Sequence, residues 1–383
     1  VVSRTEVLVV GAGVVGAAIA HAVAARGRKV HVIEQNTPAS AVSGASLACI
    51  GTHMMDEDEL PLLKWSCDAW AALAARSPTF EYRRCGQIRF IAQADEFASA
   101  RHWTEMETRH GLRPVLVEPD EVRRIEPLLQ GAILGATWSP DDAVVNPFLA
   151  VRTLLALARA GGASVESGTT VTALRSGDKG VSGVETSRGR IEAEHVVIAG
   201  GPWTARLAAT AGVHLPIVPR KAQCLATVSR PPSIRTVVGA CKAEGGVDAG
   251  YTQIQQAGSG QILFNTVLEG GTSGAGNPDR IDEVDRIFVR DSVATLLRLF
   301  PSLAKVELLR SWVRFEAVTP DDRFVIGPAG PDGLLIAAGD GGTGFIRAPA
   351  IGRLIADFIA QAEPAFRTDI YSPARFQPAA GHA

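Results

Sequence analysis

Three glycines and one carboxylate are the first residues in this chain whose spacing could do chemistry. Gly11, Gly13 and Gly16 form G-x-G-x-x-G directly after the apolar run at residues 7–10. Gly11 permits a tight turn out of a strand. Gly13 carries no side chain, so a pyrophosphate can approach the backbone. Gly16 lets a helix opened by Val14 and Val15 lie close on the sheet, with its N-terminus toward the phosphates. Glu34, followed by Gln35, ends a second strand about 20 residues on, where a carboxylate accepts hydrogen bonds from ribose hydroxyls. A phosphate on that ribose would be repelled, which argues against NADP. The set predicts a dinucleotide site. The bland alternative is a strand–turn–helix whose glycines only pack.

A second glycine cluster lies near the C-terminus, in the run Gly339-Asp340-Gly341-Gly342-Thr343-Gly344. A buried-type strand at 334–338 leads into it and a helix to about residue 362 leaves it. A nicotinamide domain needs no such junction this late. A flavin does, because its pyrimidine ring gains negative charge on reduction and a helix N-terminus stabilises that charge. Glycines are entropically costly unless backbone must approach closely.

The elements between must position these groups. Helical periodicity covers 58–76, with Leu62, Leu63, Trp65, Trp70 and Leu73 as expected core contacts. A strand is expected at 87–92, a polar helix at 94–110 and a short one at 119–125. Asn146 caps a helix at 146–160 with Pro147 in its first turn. Strands follow at 164–166, 170–174 and 181–186, and a run at 196–199 ends in Gly200-Gly201-Pro202-Trp203. Strands then dominate at 224–228, 251–255, 261–267 and 307–315, interrupted by a glycine-rich loop at 269–276 and a helix at about 280–299. The fold class expected is α/β, a Rossmann-like nucleotide-binding domain at 1–85, 140–214 and 318–383. A sheet-rich α+β substrate domain at 86–139 and 215–317 is inserted into it.

The 383 residues are 46% hydrophobic and 20% charged, with a net charge of −2. That suits a globular enzyme and gives no electrostatic case for nucleic acid or an anionic membrane. The five cysteines contain no C-x-x-C pair, so this chain offers no recognisable zinc or iron–sulfur ligand set, and their usage fits a reducing compartment. Arg4 followed by a mostly apolar run to Ala25 could pass for a signal sequence, but turn-spaced glycines, His21 and the strand at 29–34 speak against it. No other stretch approaches the roughly 18 apolar residues of a membrane span. The expectation is a cytoplasmic protein with no transmembrane segment.

The chain resembles the FAD-dependent amine and amino-acid oxidoreductases grouped with D-amino-acid oxidase, glycine oxidase and sarcosine oxidase. Four stretches carry the resemblance across almost the whole length: VVGAGVVG with Glu34, SGAS at 43–46, VVIAGGPW at 196–203, and TPDDRFVIGP at 319–328 followed by AAGDGGTGFIRAPAIG at 337–352. It implies FAD, with Ser43 and Ser46 near the pyrophosphate and flavin. Gly200, with Gly201 and Trp203 after it, falls beside the adenosine half. Gly341, Gly342, Thr343 and Gly344 fall at the flavin pyrimidine edge. The inserted sheet domain would cover the flavin and bind substrate.

Departures from the family pattern matter. Glycine-oxidase-like members often read L-R-P-x-T-P-D, where the Arg anchors a substrate carboxylate. Alignment on Thr319-Pro320-Asp321 puts Glu316 at that Arg, with Arg314 two residues earlier. On a strand the two share a face and would offer an anion and a cation to a zwitterionic or cationic substrate, unless they form a salt bridge or a solvated edge. Members with covalent flavin carry a Cys where Arg314 falls, so non-covalent FAD is expected. Leu263 falls where sarcosine oxidases place a Lys that promotes reaction with oxygen, which favours a dehydrogenase. Tyr251 is a candidate substrate hydrogen-bonding group, or a half-buried sheet tyrosine. His53, with Met54, is a candidate lining of the flavin, or core packing. Arg347 is a candidate carboxylate anchor, or a solvated helix position. The resulting expectation is oxidation of a C–N bond in an amino acid, secondary amine, imino acid or opine, with hydride transfer to flavin N5 and hydrolysis of the imine. Heteromeric members pair such a subunit with an iron–sulfur or flavin-bearing partner. The rival readings are a non-catalytic FAD-binding relay subunit and an oxygen-using oxidase.

Overall fold

Val7, Leu8 and Val9 have no exposed surface, so the strand Arg4–Val10 must lie inside a sheet covered on both faces. It pairs in parallel with Val30–Glu34 on one side and Gly189–Ile198 on the other. Ser164–Ser167 extends the parallel set beyond Val30–Glu34, and Leu334–Ala338 extends it beyond Gly189–Ile198. Val325–Pro328 adds an antiparallel edge, and the hairpin Val171–Gly177 and Gly180–Thr186 joins the N-terminal half of Gly189–Ile198. These relations come from a computed structural model that describes residues 3–178, 180–241, 251–268, 274–280, 282–339 and 341–376.

One face of this sheet is covered by the helices Val14–Ala24, Pro147–Ala160 and Gly344–Ile359, whose apolar sides share a core with Val7, Val9 and Val32. The first and last approach closely. A Cβ on Gly352 would sit 2.6 Å from the Ala18 carbonyl oxygen. The Asn146 side chain accepts from the amides of Phe148 and Leu149, which fixes the start of Pro147–Ala160.

A second sheet runs in the order Leu308–Val318, Val218–Thr227, Ile262–Val267, Tyr251–Gln256, Val237–Ala240, Gln87–Ile91, Gly135–Ser139 and Val115–Val117. The helix Arg286–Leu299 packs on one face through Phe288, Leu296 and Leu299. The other face turns to the first sheet's loops. Trp312 Nε1 donates to the Ala45 carbonyl at 3.0 Å and Gln255 Nε2 to the Leu47 carbonyl at 2.6 Å.

Several local expectations change. The helix expected from residue 280 begins at Arg286, because Asp285 caps it by accepting from the Ile287 amide at 2.7 Å. The last helix ends at Ile359, not 362. Trp65 is 38% exposed and meets Phe366 edge-on instead of entering the core. The glycine-rich loop at 269–276 and the cluster around Asp340 fall partly outside the described residues, at 269–273 and 340.

Candidate active site

The N-terminal glycine turn is tied to the acid that follows it. Gly11 has φ +105°, a conformation open to glycine at little cost. The Ala12 amide donates to Glu34 Oε2 at 2.8 Å, and the Asn36 amide to Glu34 Oε1 at 2.9 Å. Ser43 Oγ accepts from the Val14 amide at 2.9 Å, so the SGAS loop is latched to the first helix's N-terminus. Beside them opens a cavity of about 360 Å³ lined by Gly11, Gly13, Val14, Val15, Glu34, Gln35, Ser43, Gly200, Gly201 and Trp203. Thr169 to Thr172 and Arg206 also line it. The sequence had not singled these out. A carboxylate, a hydroxyl, a helix N-terminus and side-chain-free backbone in one cleft fit the ribose and pyrophosphate of a dinucleotide. Gly16 acts through packing, since a Cβ there would lie 2.0 Å from the Gly11 carbonyl oxygen. Ser46 stands outside the cavity wall and accepts from the Ala48 amide at 3.0 Å.

The C-terminal glycine cluster meets the second sheet. Gly341 and Gly342 have φ +51° and +88°. The Gly341 amide donates to the Ala317 carbonyl at 2.9 Å, and a Cβ on Gly342 would fall 2.5 Å from Glu316 Oε1. Gly344 opens the last helix, and Thr343 Oγ1 accepts from Arg347. On the strand Leu308–Val318, Val313, Phe315 and Ala317 are buried while Trp312, Arg314 and Glu316 lie on the other face.

Glu316 and Arg314 share that face but not their partners. Arg220 stands opposite Glu316 in the strand register, its Nη2 3.2 Å from Glu316 Oε2. Arg220 also donates to the Gly341 carbonyl at 3.3 Å and lies 3.6 Å from Asp322. Burial pushes the Glu316 carboxyl above the usual range, against the pull of Arg220. Asp322 is pushed up by the same two opposed causes. Arg314 instead donates to the carbonyls of Val313 at 2.7 Å and Ser40 at 3.5 Å. It lines an adjoining cavity of about 240 Å³ with Asn36, Trp203, Asp279 and Arg280. Tyr251 keeps 41% of its surface accessible at the rim of this sheet face. Crowding by the protein raises its phenol value first, and the nearby Glu316 carboxylate adds to the shift. Leu263 pairs with Ala226, which pairs with Arg310, so register puts it on the face of Trp312.

Two candidates are occupied elsewhere. His53 is buried, with Nδ1 2.9 Å from Glu107 Oε2 and Nε2 2.7 Å from Thr137 Oγ1. Met54 beside it has no exposed surface. Both ring nitrogens serve the joint between helix and second sheet, and neither residue lines either cavity. Arg347 is not a solvated cation. It is 4% exposed and gripped by Glu59 through Nε at 3.0 Å and through Nη2. Tyr371 donates to the same Glu59 carboxylate at 2.9 Å. Among the described residues no cluster of three His, Cys, Asp or Glu side chains is arranged to hold a metal.

Comparison with known proteins agrees with this geometry. Residues 6–358 match the model of the DAO family, described as FAD dependent oxidoreductase. The chain is 30% identical to glycine oxidase from Geobacillus kaustophilus over 378 residues, covering 95% of each protein. The crystal structure of that species' glycine oxidase superposes with a TM-score of 0.87 at 27% identity, covering 97% of this chain and 99% of the other. L-proline dehydrogenase from P. horikoshii superposes with a TM-score of 0.90 at 27% identity, covering 98% of both chains. The glycine-turn cradle, the latched serine loop and the sheet laid over a second glycine cluster are thus the parts of a flavoenzyme, and the chain belongs to the DAO family of FAD-dependent oxidoreductases.

Proposed function

We propose that this chain is a dehydrogenase that oxidises the C–N bond of a small amino acid, secondary amine, imino acid or opine, with FAD held non-covalently. The observation that carries this reading is the polar face of the second sheet. It lies on the glycine cluster through Arg220 and Glu316, with Tyr251 on the same face by register. A relay subunit would have no use for a charged, partly accessible cluster at that place.

Bound FAD supplies the hydride acceptor. Glu34, the turn at Gly11 to Gly13 and the Ser43 latch would hold its ribose and pyrophosphate. The second sheet would cover the reacting carbon and exclude water, so that charged groups act at low dielectric. By the family resemblance Arg314 falls where members with covalent flavin carry a cysteine, which supports non-covalent attachment. Leu263 offers no cation to favour oxygen, which supports another acceptor. With no C-x-x-C in this chain, electrons would leave to an iron–sulfur or flavin-bearing partner subunit.

The test is turnover against a panel of amino acids, secondary amines, cyclic imino acids and opines. Reduction of an artificial dye and release of a carbonyl product are followed together. Dye reduction should far exceed peroxide formation. Fast peroxide release with a good substrate would make the protein an oxidase instead.

A further inference from the structure

Charged side chains from three elements meet at the C-terminal glycine cluster. Arg220 comes from Val218–Thr227, Glu316 from Leu308–Val318, and Asp322 from the turn after it. Their side chains are 27%, 20% and 34% exposed, so a small ligand can reach them. Holding strands together does not require the pair. The ladder from Val218↔Val318 to Ala226↔Arg310 already does that, and a partly buried ion pair adds little to stability. Gly342 leaves room for the Glu316 carboxylate on the helix head, because any side chain there would overlap Oε1. Arg314, the neighbouring cation on the strand, is bonded to the Ser40 and Val313 carbonyls and lines the smaller cavity, whose wall includes neither Arg220 nor Glu316.

We infer that Arg220 and Glu316 together read the zwitterionic head of an amino- or imino-acid substrate, Arg220 taking the carboxylate and Glu316 the ammonium. The inference deepens the proposed function and rests on it. Arg220 is balanced by two carboxylates, so a lone anion meets repulsion from Glu316 and Asp322. A lone cation meets Arg220. A zwitterion answers both signs at once, since its charges are as closely spaced as the pair itself. Strand register puts Tyr251 on the same face of the sheet as Glu316 and Arg220. Its phenol stays protonated and can donate to the same substrate carboxylate. The arginine that selects the carboxylate therefore lies one strand away from Glu316, and Arg314 is left to a different task.

The test is anaerobic spectral titration of the FAD-loaded protein with two matched sets. One is proline (both enantiomers), pyrrolidine and tetrahydrofuran-2-carboxylate. The other is N-methylglycine, dimethylamine and methoxyacetate. In the wild type, the zwitterion of at least one set should bind at least about tenfold tighter than either partial analogue. Arg220→Met should erase the advantage over the amine lacking a carboxylate. Glu316→Met should erase the advantage over the carboxylate lacking an amine. Arg314→Met should keep both. The double variant Arg220→Met/Glu316→Met removes the charges together and leaves neither unpaired, so it guards against misfolding, and it should lose both preferences. An Arg220→Met protein with full zwitterion preference, an Arg314→Met protein without it, or a wild type that binds none of these compounds overturns the inference. A wild type whose flavin no amine reduces overturns the function beneath it, which is a separate result.

Discussion

At the scale of single residues, Glu34 does two things with one carboxylate. It holds the glycine turn through the Ala12 amide and closes the next strand through the Asn36 amide. Glu34→Ala should weaken FAD retention by about 1.5–3 kcal/mol, the range for hydrogen bonds to a charged group. Equilibrium dialysis of FAD checks this, and unchanged affinity would remove Glu34 from the cradle. Asp142 is a buried acid, 1% exposed and bonded by Ser139 Oγ at 2.9 Å. Burial raises its carboxyl from 3.8 to about 6. A raised value means that the fold favours the protonated acid. That preference is fully present below the unfolded value and is lost as pH rises through about 6, at a cost near neutrality of about 3 kcal/mol. Asp142→Asn should therefore raise Tm relative to wild type more at about pH 8 than at about pH 5. An equal difference at both would contradict the assignment. Glu34, Ser43 and the glycines could be singled out as candidates because their signal is local in sequence. Arg220 was not, because it meets Glu316 across 96 residues and only strand register brings them together. His53 and Arg347 were misleading for the converse reason. Their residue types suggest chemistry, while their buried partners Glu107 and Glu59 lie 54 and 288 residues away.

At the scale of elements, the Glu59 carboxylate joins the start of Leu60–Arg76 to the helix Gly344–Ile359 through Arg347, and to the C-terminal segment through Tyr371. Burial alone would raise this carboxyl, but Arg347 and Tyr371 outweigh it and hold the value below the usual range. A lowered value gives stability that is present above the unfolded value and lost as pH falls through the folded one. Glu59→Gln should cost about 3–5 kcal/mol by denaturant unfolding near neutral pH, because it leaves the Arg347 charge buried without its partner. A loss under about 1 kcal/mol would mean that the junction is solvated. Strongly periodic or capped elements were readable in the sequence: Leu60–Arg76, Pro147–Ala160 behind Asn146, and the buried strand Leu334–Ala338. The strands Val115–Val117, Gly135–Ser139 and Val237–Ala240 were not anticipated. Each is short, and two of them pair with Gln87–Ile91 across long stretches of chain, so the sheet rather than local propensity makes them strands.

At the scale of the whole molecule, two eight-stranded sheets divide the work. The mainly parallel one carries the glycine turn and the cavity beside it, and the other lays a polar face over the second glycine cluster. The alternation of a doubly wound pattern with a strand-rich middle made this division visible early. Which charged residues would converge was not visible, since Arg220 and Glu316 meet only through the register of two neighbouring strands. Leu263 on the docking face carries the prediction about the acceptor. Leu263→Lys should increase the share of turnover that yields peroxide, and an unchanged ratio of dye to oxygen activity would sever acceptor choice from this position. Acid precipitation should release all of the FAD into the supernatant, and colour retained in the pellet would show a covalent link. Amine oxidation on bound FAD is the activity from which the other predictions follow. Anaerobic mixing of the FAD-loaded protein with amino acids, secondary amines, cyclic imino acids and opines tests it most directly. At least one compound should bleach the oxidised-flavin absorption completely, with stoichiometric carbonyl product after the imine hydrolyses. A flavin that dithionite reduces readily, but that stays oxidised with every member of the panel, would contradict it.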